Sequence, residues 1–117
     1  MTDNGAPAPR DVLRIRLLND AFRTSLQGGR VVMTSGVAAL PVEVIALLIK
    51  AVREFDSFDP EQNDPWGERD FGVVEALGHK AFWKIDVYAK DMNFGSPDPG
   101  DASVSVRVLT ILKPEDW

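Results

Sequence analysis

The stretch from Pro41 to Phe55, PVEVIALLIKAVREF, constrains the fold more than any other. Pro41 suits the first turn of a helix, and Glu43 follows where a carboxylate offsets the helix dipole. Val42, Ile45, Leu48, Ile49, Val52 and Phe55 recur at helical spacing. Val44 and Leu47 make this helix apolar almost all round as far as Lys50. A helix of that kind is usually buried on more than one side, so the pattern predicts a central core helix.

The flanking segments supply the rest of a core. Upstream, Ile15, Leu18, Phe22 and Leu26 recur at spacings of three and four, widened by Leu17 and Ala21. Arg16, Asp20 and Arg23 fall on the opposite face. This reads as a helix from Arg10 to Gln27, with Asp11 in its first turn and Gly28 and Gly29 as its stop. RVVMTS at Arg30–Ser35 is short, β-branched and flanked by glycines, which marks a strand. Asp70–Leu77 and Lys80–Tyr88 form a hairpin pattern around Gly78 and His79. Trp83, Ile85 and Val87 share one face of its second strand, and Phe82, Lys84, Asp86 and Tyr88 the other. In the last strand, Ser103–Lys113, Val104, Val106 and Val108 alternate with Ser105 and Arg107. The order α-β-α-β-β-β predicts an α+β domain. Its sheet has about four strands and is mainly antiparallel, with two helices on one face. The last three strands form a meander, and the first joins at an edge or beside the last.

The chain of 117 residues suits one domain. Residues 1–9, MTDNGAPAP, read as a disordered tail, which leaves 10–117 as the folded unit. They lack the features of a signal peptide, and no apolar run approaches the roughly 18 residues of a spanning helix. A cytoplasmic protein without membrane contact is the expectation. Cysteine is absent, which removes disulfides, thiolate nucleophiles and Cys-based zinc sites. The net charge of −5 argues against direct nucleic-acid binding, which needs clustered Lys and Arg. It favours a basic partner instead.

Candidate chemistry concentrates in Asn63–Gly72, NDPWGERDFG. His79 is the only histidine and falls at a predicted turn, which leaves no triad and no HExxH site. The segment from Asp56 to Asp70 carries Asp56, Asp59, Glu61, Asp64, Glu68 and Asp70 against Arg69. Asp59, Glu61, Asn63 and Asp70 partly imitate a calcium loop, but Asp64 occupies the position that needs Gly, and a strand follows. No metal and no cofactor are therefore expected. Asn63 and Asp64 fit turn chemistry. Glu68 and Asp70 can point to one side of the strand entrance, where Lys84, Asp86 and Arg107 could complete a mixed cluster on one sheet face. That cluster reads either as a salt-bridge network or as an acid/base or ligand site. Trp83 and Phe71 read as core, whereas Trp66, in a loop, reads as an interface residue.

Four segments together carry a resemblance: NDPWGERDFG, FWKID at Phe82–Asp86, GSPDPGD at Gly95–Asp101 and RVLTIL at Arg107–Leu112. Upstream, IRLLNDAFR and GRVVMTSGVAALP fit too. The whole resembles a bacterial family of domains of unknown function found on plasmids and other mobile elements. The family pattern places a His between the Glu and the Asp of the central motif, where this chain has Arg69. The resemblance implies a mobile-element context and no established reaction. Combined with the acidic loop, it implies a non-enzymatic interaction protein, of the kind that inhibits a host defence nuclease. Its binding residues would be Asn63, Asp64, Trp66, Glu68, Arg69, Asp70, Lys84, Asp86 and Arg107. The alternative is a carboxylate-based enzyme or a small-ligand or metal-binding domain at Glu68, Asp70, Lys84 and Asp86. A homodimer through an unpaired edge strand is a third possibility.

Overall fold

The computed structural model describes residues 10–117, so the tail expected at 1–9 lies outside the described residues. The described chain is α+β, with a four-stranded mixed sheet. Helix α1 spans Val12–Ser25, strand β1 Gly29–Met33, the short helix α2 Ser35–Ala38 and helix α3 Val42–Arg53. Strands β2, Phe71–Ala76, and β3, His79–Tyr88, precede a 3-10 turn at Ala102–Val104. Strand β4, Val106–Leu112, and a 3-10 turn at Pro114–Asp116 complete the chain. The sheet order is β1-β4-β3-β2; β2–β3 and β3–β4 are antiparallel, and β1 runs parallel to β4.

Asp11 caps α1 from outside, its carboxylate accepting from the Arg14 N–H at 3.2 Å, rather than sitting in the first turn. The stop is also not a glycine. Leu26 takes the left-handed conformation at φ 59° and donates its N–H to the Phe22 carbonyl. The buried face of α1 is rotated from the one the apolar spacing indicates. Ile15, Asn19, Phe22 and Arg23 are buried, while Leu17 is 58% exposed. Polar partners cause the rotation. Arg23, expected outside, donates to the Val52 and Arg53 carbonyls at 3.0 and 3.2 Å, capping the C-terminus of α3 with a cation. Its guanidinium lies 5.4 Å from both the Phe58 and the Trp83 ring centroids.

Helix α3 is not buried on several sides. Val44, Leu48 and Val52 form its buried line, and Val42 is 78% exposed. Only one layer of sheet lies against it, so one stripe suffices. The core combines Phe22, Val44, Leu48 and Val52 with alternate residues of the strands: Val74, Ala81, Trp83, Ile85, Leu109 and Ile111. Gly72 is required there, because a Cβ would sit 2.5 Å from Trp83 Nε1 and 2.8 Å from Phe55.

The β2–β3 turn is Leu77–Gly78, both at positive φ (49° and 81°), and His79 belongs to the strand rather than the turn. In β4 the inward set is Arg107, Leu109 and Ile111, so the valines that made the alternation visible, Val106 and Val108, face outward. Phe71, expected in the core, lies on the open face of the sheet. There it meets Phe82 and Trp117 at centroid distances of 5.5 and 5.4 Å.

Candidate functional site: the Trp66 loop and its anchors on helix α1

The segment between α3 and β2 contains no helix or strand and is held by its own side chains. Asn63 accepts from the Asp59 N–H at 2.8 Å and donates to the Ser57 carbonyl at 3.0 Å. Buried Asp64 accepts from the Arg69 N–H at 2.9 Å. That bond fixes Arg69 in the left-handed region, φ 55°, which a non-glycine residue occupies only when its surroundings demand it. Asn63 and Asp64 therefore shape the loop, and both carboxamide and carboxylate are already engaged.

The next residues dock along one side of α1. Glu68 is buried, and its carboxylate takes two hydrogen bonds from Arg10, each 2.8 Å. The Glu68 carbonyl accepts from Asn19 Nδ2 at 2.9 Å, and the Gly67 carbonyl from Arg16 Nε at 2.7 Å. Arg69 pairs with Asp20 at 3.0 Å and lies 5.1 Å from the Phe58 ring centroid. Gly67, at φ 72°, leaves room for Arg16, whose terminal nitrogen would lie 3.0 Å from any Cβ. Trp66 alone in this run points away, 78% exposed.

Arg107 is buried on the helix side of the sheet, because β4 pairs it with Val87 and so with the face of Trp83 and Ile85. It donates to Asn19 Oδ1 at 2.7 Å and to the Pro99 carbonyl at 2.6 Å. Burial lowers its pKa, and the charge of Glu68 opposes that shift. Lys84 and Asp86 project from the opposite face and pair with each other at 3.1 Å. The five-residue cluster of Glu68, Asp70, Lys84, Asp86 and Arg107 on one face is therefore not formed. The two-residue period of the strands divides it between the two sides of the sheet.

What does come together is a cavity of about 220 Å³ at the sheet end, lined by Arg10, Asn19, Glu68, Asp70, Asp86 and Ser96 among others. Burial pushes the Asp70 carboxyl above its ordinary range. Its backbone hydrogen bond resists, while the charges of Glu68, Asp64 and Asp86 add to the rise. The hydrogen bond from Arg10 to Glu68 raises the pKa of Arg10 in turn. No group of three or more His, Asp or Glu side chains among the described residues is arranged to hold a metal ion. No helix among them is long and apolar enough to cross a membrane.

Sequence reasoning missed the anchors Arg10, Arg16, Asn19 and Asp20. One signal was present. Asn19 falls between Ile15 and Phe22 at helical spacing, a polar residue inside an apolar stripe. No curated relative and no solved structure matches the chain. A family model described as "Protein of unknown function (DUF3768)" matches residues 33–116, a stretch that takes in the Trp66 loop together with β2, β3 and β4. The chain belongs to that family.

Proposed function

We propose that this is a non-enzymatic interaction protein that docks a partner protein through Trp66. The exposed indole on a pinned loop carries the reading. A large aromatic with only two side-chain torsions, carried on a backbone already pinned, loses little conformational freedom on binding, and Trp is enriched among interface hot spots. Open cavities flank it: one of about 400 Å³ lined by Arg10, Val12 and Glu68, and another of about 350 Å³ lined by residues including Arg16, Phe58, Pro65 and Arg69. Partner side chains can fill both. Exposed Asp56 and Glu61 on the same loop, and the net charge of −5, favour a basic partner.

The finer reading makes this a mobile-element protein and its partner a basic nucleic-acid-binding effector of host defence. The protein then acts as an inhibitor of the anti-restriction or anti-CRISPR type. The motif resemblance and the charge support it. The test is DNA cleavage by purified restriction and CRISPR effector complexes with the protein added. Inhibition by the wild type that disappears in Trp66→Ala is expected. An equal effect of both proteins, or no inhibition, rejects the reading. Trp66→Ala is expected to shift stability by less than about 0.5 kcal/mol, since the side chain is exposed. Glu68→Ala is a poor probe of binding, because it strands Arg10 and loosens the loop.

A second reading, a small-ligand or metal site or a carboxylate-based enzyme, is favoured by Asp70 in the 220 Å³ cavity with Glu68 and Asp86. Arg10 already neutralises Glu68, and Lys84 stands on the open face. Thermal shift with Ca²⁺, Mg²⁺, Mn²⁺ and Zn²⁺ tests its metal form, and stabilisation that Asp70→Asn abolishes would establish it.

A further inference from the structure

We propose that two copies of this chain join edge to edge through β1, extending the four-stranded sheet across a two-fold axis at Val31. Strand β1 is an edge strand with all five residues exposed. Natural edges are guarded by Lys, Pro, bulges or covering elements. The other edge, β2, carries exposed Glu75. GRVVM has only Arg30.

The backbone shows which groups wait for a partner. The Thr34 N–H donates to the Ile111 carbonyl at 3.1 Å, and Met33 is in register with Ile111. In a parallel ladder this makes Arg30 and Val32 the residues that bond β4. The N–H and C=O groups of Gly29, Val31 and Met33 then face outward. Another β-strand can pair with the whole of such an alternating row, where water otherwise bonds each group singly. A second copy related by a two-fold at Val31 does so along the whole strand: Val31 meets Val31, and Gly29 meets Met33. Arg30 then lies opposite Val32, which keeps the like charges apart; a two-fold at Arg30 would oppose them. Val31 and Met33, 36% and 39% exposed, gain apolar cover. Five paired residues bury far less than the roughly 800 Å² per partner of a standard interface, so the association is micromolar and concentration-dependent.

Light scattering and sedimentation from about 1 to 200 µM test this, a range that spans micromolar dissociation constants. The expected result is a mass rising from one chain to two. Val31→Pro removes an outward N–H and no β1–β4 bond, as proline at an edge can. It is expected to weaken association about tenfold or more with unchanged circular dichroism, while Trp66→Ala leaves the dimer intact. If the proline variant does not fold, Val31→Lys places charge opposite charge and is expected to give a monomer. A wild type monomeric across the range overturns the proposal, as does a dimer that survives the folded Val31 variants.

Discussion

Asn19 is 1% exposed, and both ends of its amide are used: Nδ2 holds the Glu68 carbonyl and Oδ1 holds Arg107. Asn19→Ala is expected to lower stability by about 3 kcal/mol, because it leaves a buried guanidinium and a buried carbonyl without their partner. Urea unfolding measures this. Asp70 works in the opposite sense. A carboxyl whose pKa rises on folding favours the folded state while protonated. That contribution is lost as the pH climbs from the unfolded value of 3.8 through the higher folded one. Asp70→Asn is therefore expected to raise the melting temperature at about pH 7 and to leave it nearly unchanged at about pH 3. Asp116, held low first by the Thr34 hydroxyl and then by the Lys113 N–H, favours the folded state above the unfolded value and loses that effect as the pH falls. Reading roles from residue types worked where a side chain acts within its own segment, as for Asn63 and Asp64. It failed for Arg23 and Arg107. A buried arginine is identified only by the distant carbonyls that receive it.

At the level of elements, the β2–β3 turn has an unfavourable residue. Leu77 is 68% exposed at φ 49°, where asparagine is tolerated and leucine is strained. Leu77→Asn creates the Asn-Gly pair that this two-residue turn prefers. It is expected to stabilise the protein by about 0.5–1 kcal/mol, read by chemical denaturation. The existence of the two long helices and four strands was legible from periodicity. The side each buries was less so. Helix α1 turns Asn19 and Arg23 inward because polar partners wait there, and α3 leaves Val42 outside because it contacts one layer only. In β4 the regular Val-Ser-Val-Arg-Val alternation leaves the covered face open, and the inward register carries Arg107 and Leu109. Alternation shows that two faces differ without saying which one is covered.

For the whole molecule, the four-stranded sheet and its mainly antiparallel pairing follow from the order of elements. Parallel pairing of β1 with β4 does not, since it depends on a contact between strands far apart in the chain. Helix α1 adds Ile15 and Phe22 to the buried apolar residues. Ile15 and Phe22 alone contribute about 4 kcal/mol of apolar burial, a large share of the stability of a domain this size. A fragment of residues 27–117 also loses the cation that caps α3 and the contacts of the Trp66 loop with Arg10, Arg16, Asn19 and Asp20. It is expected to unfold without cooperativity and to bind a hydrophobic dye, which calorimetry and fluorescence check.

The bond from Arg107 to Asn19 spans 88 positions, and the bonds from Asn19 and Arg10 to Glu68 span 49 and 58. Contacts across such distances close only after the intervening chain is in place. During synthesis, Arg107 leaves the ribosome after nearly all the other elements. Until it arrives, Asn19 has only one of its two partners, and the loop bearing Trp66 is only partly secured. The finished arrangement of this loop, the surface proposed for docking, therefore comes with the last strand. Nascent chains and fragments that stop short of β4 carry the same loop residues without their finished arrangement.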